Sequence, residues 1–193
     1  MFTSDRHLKG RKPTDFRKRK LIFLDLEMTG SDPHRHEIIE VAWIVVNGNN
    51  FKILSSFVSK VKPLHLDTND NEGLVIADFS EKKWENAIEL EKVLEKLANV
   101  APNAMLVGWA IFHDWEFLER AFEKYNITPK FNYRMLPVDT IAYAKLYKDK
   151  RLKGLGLRTG VLNYFGMKFP KQHGALVDAK LSLLVFKRLM KMK

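Results

Sequence analysis

The chain has 193 residues, 46% hydrophobic and 29% charged, enough to bury one sizeable core and too few for two comfortable domains. It contains no cysteine, which excludes a disulfide framework and thiolate metal ligation. Thirty-three Lys and Arg against 23 Asp and Glu give a net charge of +10, a balance that attracts polyanions and favours nucleic acid as a partner.

Residues 1–20 hold Arg6, Lys9, Arg11, Lys12, Arg17, Lys18, Arg19 and Lys20 against Asp5 and Asp15, so +6 of the +10 lies there. Such an arm reads as a polyanion contact, a solvated tail or a targeting segment. The longest apolar runs, 41–46 and 183–186, are too short to cross a bilayer or to act as a secretory signal. A soluble, cytoplasmic protein is expected, with a flexible basic arm over 1–19 and a single domain over 20–193.

The first structured stretch is 20–30, where Leu21, Ile22, Phe23 and Leu24 lead into Asp25, Leu26, Glu27, Met28, Thr29 and Gly30. Strand side chains alternate with period two, so Asp25 and Glu27 share one face of an otherwise apolar strand. Two carboxylates this close repel unless a cation or a proton sits between them, which makes a metal site the expectation. The Asp-x-Glu pattern recurs at Asp70 and Glu72 and at Asp114 and Glu116. The first of these lies in a polar turn, and the second opens a helical pattern where acids complement the dipole.

Strands follow over 37–46 and 51–58, joined across Asn47-Gly48-Asn49-Asn50, a hairpin signal. Residues 59–80 read as irregular. Within them Asp67 to Asp78 resembles a calcium loop, but Glu72 stands where the turn needs Gly, and Asp78 stands in place of the bidentate Glu. From Trp84 the residues Ala87, Ile88, Leu94, Leu97 and Ala98 form a helical stripe ending near 101–103. A buried strand over 105–110 precedes a helix carrying Asp114, Phe117, Leu118, Ala121, Phe122 and Tyr125. Strand-to-helix junctions of this kind commonly carry working residues in open α/β sheets.

A short strand is expected over 133–139, a helix over 140–148, and a less regular helical region punctuated by Gly154, Gly156, Gly160 and Gly166. The last helix spans about 175–192, with Val177, Leu181, Leu184, Val185, Leu189 and Met192 toward the core. Alternating strands and helices imply a mixed sheet with helices packed on it.

His173 and Asp178 stand five apart, and on one helix they would diverge by about 140°. They serve one site only if His173 lies in the loop ahead of the helix, as the flanking Pro170 and Gly174 indicate. Asp25-Leu26-Glu27-Met28-Thr29-Gly30, Asp114 with Phe117 and Leu118, and His173-Gly174-Ala175-Leu176-Val177-Asp178 occur in that order across most of 20–190. In these motifs the chain resembles the DEDDh group of 3′-to-5′ exonucleases, the DnaQ-like family that includes polymerase III epsilon-type proofreading subunits and oligoribonuclease.

The resemblance implies an α/β, ribonuclease-H-like fold, a mixed five-stranded sheet flanked by helices. It implies that Asp25, Glu27, Asp114 and Asp178 hold two divalent cations, Mg²⁺ or Mn²⁺, with Asp25 bridging them and Asp114 bound directly or through water. Such a pair stabilises the attacking and leaving oxygens of an in-line phosphodiester displacement. It makes His173 the general base for the attacking water, a task an imidazole performs near neutral pH. Leu26, Met28, Thr29 and Phe112 become candidate substrate contacts, Met28 against the terminal base and Thr29 at the 3′-hydroxyl. An aromatic at Phe112, Trp115 or Tyr143 is nevertheless read first as core, and His113 as structural. Many relatives carry Gly-His-Asn before the middle acid, whereas Gly108 is followed here by Trp109, Ala110, Ile111, Phe112 and His113.

The implied activity is release of nucleoside 5′-monophosphates from 3′ ends of single-stranded nucleic acid, DNA before RNA, in a proofreading or repair setting with a polymerase or repair partner and no membrane. The alternatives are an oligoribonuclease of short RNA and a binding module that keeps the fold without turnover.

Overall fold

In the computed structural model, which describes residues 15–171 and 173–192, β1 (Leu21–Met28) is the middle of five strands. β2 (Ile38–Val46) and β3 (Ile53–Lys60) extend the sheet on one side by antiparallel pairing. β4 (Met105–Gly108) and β5 (Met135–Pro137) extend it on the other in parallel, giving the order β3-β2-β1-β4-β5. The helices are α1 (Asn71–Ile76), α2 (Glu81–Trp84), α3 (Leu90–Asn99), α4 (Ile111–Lys124), α5 (Val138–Leu146), α6 (Leu162–Tyr164) and α7 (Ala175–Met190). Among the described residues no helix is long and apolar enough to cross a membrane.

The period of β1 divides the molecule into two cores. Ile22, Leu24 and Leu26 pack against α3 and α4, while Leu21 and Phe23 pack against α5 and α7. Ile22, Phe23 and Leu24 are fully buried, and each such side chain stabilises the fold by about 1.5–3 kcal/mol. Continuing the period, Asp25 and Glu27 fall on the face covered by α7, so the strand that anchors both cores also presents the acids.

Several local expectations are corrected. The helix expected from Trp84 is split, with α2 ending at Trp84 and α3 starting at Leu90. The Trp84 indole N–H donates to the Ile39 carbonyl at 2.9 Å, and its ring packs in a small cluster of its own with Ile39 and Ala77. A bridge between Val61 and Ile88 then interrupts the chain before α3. The stretch 59–80 contains α1, whose start is capped by the Asp70 side chain accepting the Glu72 N–H at 3.1 Å. Leu184 is 47% exposed, because Leu181, Val185 and Leu189 already fill the stripe of α7 that meets the sheet.

The expected arm falls mostly on residues 1–14, outside the described residues. Its last part is joined to the body. Asp15 caps a short 3-10 turn, Phe16–Lys18, and the Arg19 carbonyl lies so close to Gly48 of the β2–β3 turn that a Cβ there would come within 1.9 Å of it.

The β4-to-α4 junction has little slack. A Cβ on Gly108 would sit 2.8 Å from the Leu24 carbonyl of β1 and 2.8 Å from Ile111, and Ala110, which caps α4, holds φ 49° in the left-handed region. Gly108→Ala is expected to cost about 1–3 kcal/mol by overpacking, lowering the denaturant midpoint. An unchanged midpoint would show that the junction yields without penalty.

Candidate active site

The acids converge at the carboxyl end of β1. Asp25, Glu27 and Asp178 each offer an oxygen, and these atoms lie within 4.8 Å of one another. Two come from one strand face and the third from the first turn of α7, which lies across that face. Asp114 approaches from the other side of the sheet, in the first turn of α4. β1 pairs with β4 only over Leu21 to Phe23, so the later amides on that edge need other acceptors. The Leu26 N–H finds one in Asp114 Oδ1, at 2.9 Å. The structure therefore brings together all four acids of the sequence reading, three as a compact cluster and Asp114 beside it, locked to the strand that carries the first two.

The start of α7 is built unusually. Its cap position is Gly174, which has no side chain to satisfy the first amides. Glu40 takes over that role, its Oε2 accepting the Ala175 N–H at 3.1 Å. Glu40 lies directly opposite Glu27 in the β1–β2 register, so a carboxylate at the positive end of α7 fixes the helix that delivers Asp178. His173 lies in the loop ahead of α7, as its spacing requires, with Nδ1 3.3 Å from Asp178 Oδ2. The other Asp178 oxygen is held by Arg158, whose Nε and Nη2 donate to Oδ1 at 3.1 and 2.6 Å while Nη1 donates to the Pro170 carbonyl at 2.5 Å.

Arg158 and Glu40 are absent from the sequence reading. Glu40 has a retrospective signal, an acid on the same face as Glu27 one strand away. Arg158 has none, because a five-residue π-turn, Leu157–Val161, carries it. That turn packs closely, since a Cβ on Gly160 would come within 2.0 Å of the Gly154 carbonyl.

The electrostatics are those of crowded carboxylates. Burial, followed by the charges of Asp114, Asp178, Glu27 and Glu40, pushes the Asp25 carboxyl well above its ordinary range. Glu27 is raised to about 8 by burial and by Asp178, Glu40 and Asp114, with Arg158 opposing. Burial raises Asp114 to about 8 against the stabilising N–H groups of Leu26 and its own backbone. A set of hard oxygen donors that retains protons for want of a counter-charge fits a hard divalent cation.

On the substrate side the expected contacts separate. Met28 is half-buried at the end of β1, and Phe112 is 58% exposed. Leu26 is turned into the core, which leaves its backbone N–H, already bonded to Asp114, as its link to the site. Thr29 is fully buried, with its hydroxyl accepting the Glu37 N–H at 2.9 Å. This hydroxyl closes the turn after β1 and is not open to a 3′-hydroxyl. Trp115 is core, as expected, but Phe112 and Tyr143 are not, the latter being 54% exposed. His113 stands beside Phe117, with Nδ1 3.9 Å from Glu116 Oε2.

A sequence model of exonucleases, RNase_T, matches residues 22–186. The chain belongs to this exonuclease family. Its curated relatives include the oligoribonuclease of Haemophilus influenzae, 31% identical over 153 residues that make up 72% of this chain and 82% of the relative. The PolC-type DNA polymerase III of Thermotoga petrophila is 26% identical over 180 residues, covering 93% of this chain and 12% of that enzyme. Among solved structures, E. coli exonuclease I in complex with a dT13 oligonucleotide superposes with a TM-score of 0.77 at 15% identity. That match covers 90% of this chain, which spans 41% of the exonuclease I chain. The family makes this exonuclease a hydrolytic nuclease of the DnaQ-like kind, and the mixed five-stranded sheet flanked by helices is the ribonuclease-H-like fold of these neighbours.

The raised carboxyl groups have a consequence for stability. Unfolded Asp and Glu lose their protons near pH 4, whereas Glu27 and Asp114 keep theirs in the folded chain to about 8. Between those limits the folded state binds more protons than the unfolded one, so the contribution of these two groups to stability is complete below about pH 4 and is lost progressively as pH rises through the folded values. In EDTA the melting temperature is expected to fall by several degrees from pH 6 to pH 9, and saturating Mg²⁺ should remove most of that fall. A melting temperature indifferent to both pH and Mg²⁺ would contradict the crowded cluster.

Proposed function

We propose that the chain is a divalent-metal-dependent 3′-to-5′ exonuclease of the DEDDh type, releasing nucleoside 5′-monophosphates from single-stranded ends, DNA in preference to RNA. The observation that carries this reading is the approach of Asp25, Glu27 and Asp178 oxygens to within 4.8 Å of one another, with His173 against Asp178 and Asp114 locked to the same strand.

Asp25, Glu27 and Asp178 are the proposed ligands of two divalent ions, Mg²⁺ or Mn²⁺, and Asp114 completes the set from the α4 side. The bound ions would supply positive charge for the attacking and leaving oxygens of an in-line displacement. His173 takes the proton from the attacking water. With Nδ1 3.3 Å from Asp178 Oδ2, a proton on Nδ1 would leave Nε2 as the acceptor, the tautomer a general base requires. Arg158 steadies Asp178 and keeps a fixed positive charge beside the acids. Met28, part-exposed where β1 ends, supplies an apolar surface for the terminal base, a contact tolerant of sequence because every base has a face.

The net charge of +10 favours a polyanionic partner of either kind, and the preference for DNA draws on the likeness to a segment of a PolC-type DNA polymerase III and, in fold, to a nuclease in complex with dT13. A polymerase or repair complex is the proposed setting. A second reading, an oligoribonuclease of short RNA, is favoured by the match to most of the length of the H. influenzae oligoribonuclease.

Both readings are tested with matched DNA and RNA 12-mers labelled at the 3′-terminal nucleotide. Labelled monophosphate should appear with Mg²⁺ or Mn²⁺ and not with EDTA, faster from DNA. His173→Ala should cost about 10²–10⁴-fold in kcat, and Asp25→Ala should abolish turnover while the fold persists. Faster release from RNA would select the second reading. Absence of metal-dependent release would leave a binding module, and full activity in Asp25→Ala would remove Asp25 from the site.

A further inference from the structure

Beside the proposed site, the outward face of α5 carries aromatic side chains that the core does not use. Val138, Ala142 and Leu146 are the buried residues of this helix. Tyr143 is 54% and Tyr147 67% exposed, with ring centroids 5.8 Å apart at an interplanar angle of 46°. They stand at i and i+4, in one row along the helix, and Asp139 begins the same row one turn earlier. Asp139 Oδ1 accepts the Ala110 N–H at 3.3 Å, so the row starts against the turn that opens α4. The exposed Phe112 lies two residues beyond Ala110, and Asp114 four beyond it. From there the row runs along the helix for about 12 Å.

The row ends in positive charge. Lys148, Lys150, Arg151 and Lys153 follow Tyr147 within six residues, and all four are exposed. The one acid among them, Asp149, is held by Arg151 at 2.6 Å and by the Tyr164 hydroxyl at 2.8 Å, which leaves the three lysines as the outstanding charge of this turn. Lys145 is directed elsewhere, donating to the Met192 carbonyl at 3.0 Å.

We propose that Phe112, Tyr143 and Tyr147, with Lys148, Lys150 and Lys153, form a track on which the nucleotides upstream of the 3′ end of a single strand stack. This rests on the exonuclease reading and extends it from the terminal nucleotide to the strand behind it. Ring faces in a row that ends in lysines suit unpaired bases and their phosphates. A duplex hides its base faces, and the ring spacing exceeds the roughly 3.4 Å rise per nucleotide of a stacked strand. The row therefore takes an extended strand in which each base meets its own ring. Substrates of several nucleotides gain from the track, whereas a dinucleotide does not reach it.

The test uses the full chain with two double variants, Tyr143→Leu/Tyr147→Leu and Tyr143→Phe/Tyr147→Phe. Rates are measured in Mg²⁺ on dT12 and on the dinucleotide pTpT, and binding of 5′-fluorescein-dT12 is followed by anisotropy in EDTA. The leucine pair should lose about tenfold or more in both dT12 binding and kcat/KM, mainly through KM, consistent with the strength of base–aromatic stacking. Its rate on the dinucleotide should stay within about twofold, and the phenylalanine pair should match the unmodified chain on both substrates.

Equal losses on both lengths, no loss on dT12, or a phenylalanine pair as weak as the leucine pair would each overturn the track. A leucine pair that alters sedimentation of the free protein but not dT12 binding would make the face a self-association surface instead. If the unmodified chain releases no nucleotide, the exonuclease reading fails, and the EDTA binding measurement still decides the track.

Discussion

Like-charge repulsion at the end of β1 is the constraint to which the rest of the molecule answers. Asp25, Glu27, Asp114 and Asp178, with Glu40 behind them, place five carboxyl groups in one largely buried region. Such a cluster does not assemble by itself. It persists because each acid is carried by an element whose position is set elsewhere. β1 is anchored by apolar packing on both faces, α4 by Trp115, Phe117 and Leu118, and α7 by a stripe of buried leucine, valine and phenylalanine. The two cores hold the acids in place, in an arrangement that could hold a metal ion.

The remaining polar contacts share that load. Asp114 satisfies an amide that the short β4 leaves over, Glu40 caps a helix that begins with glycine, and Arg158 brings fixed positive charge onto Asp178. In each case a group that satisfies a polar partner within the fold also orients the candidate site. Asp114 shows the coupling most clearly, since the bond that completes the β1 edge also ties α4 to the strand bearing Asp25 and Glu27.

How much of this was legible in the sequence depends on how local each cause is. The period of β1 placed Asp25 and Glu27 on one face, and helical geometry placed His173 in the loop ahead of α7, because both follow from the backbone alone. Asp114 stands at a strand-to-helix junction, a legible position, while its place in the acid set is implied by the family resemblance. Glu40 required a cross-strand register, and Arg158 required a π-turn that no residue pattern announces. Thr29 illustrates the opposite error, since a residue expected to meet substrate is consumed by the turn that its hydroxyl closes with Glu37. The helix expected from Trp84 failed because a tertiary hydrogen bond to Ile39 outweighed a helical stripe. Phe112 and Tyr143 are exposed against expectation, because aromatic spacing says nothing about which face of a helix the fold covers.

Direct Mn²⁺ binding to the full chain tests whether the carboxylates form a cation site assembled by the fold. Titration of EDTA-treated and dialysed protein, followed by calorimetry or by the electron paramagnetic resonance of free Mn²⁺, counts the bound ions without reference to turnover. Two ions per chain are expected, and their loss in Asp25→Asn with the fold intact by circular dichroism. No Mn²⁺ bound, or equal binding in Asp25→Asn, would contradict it.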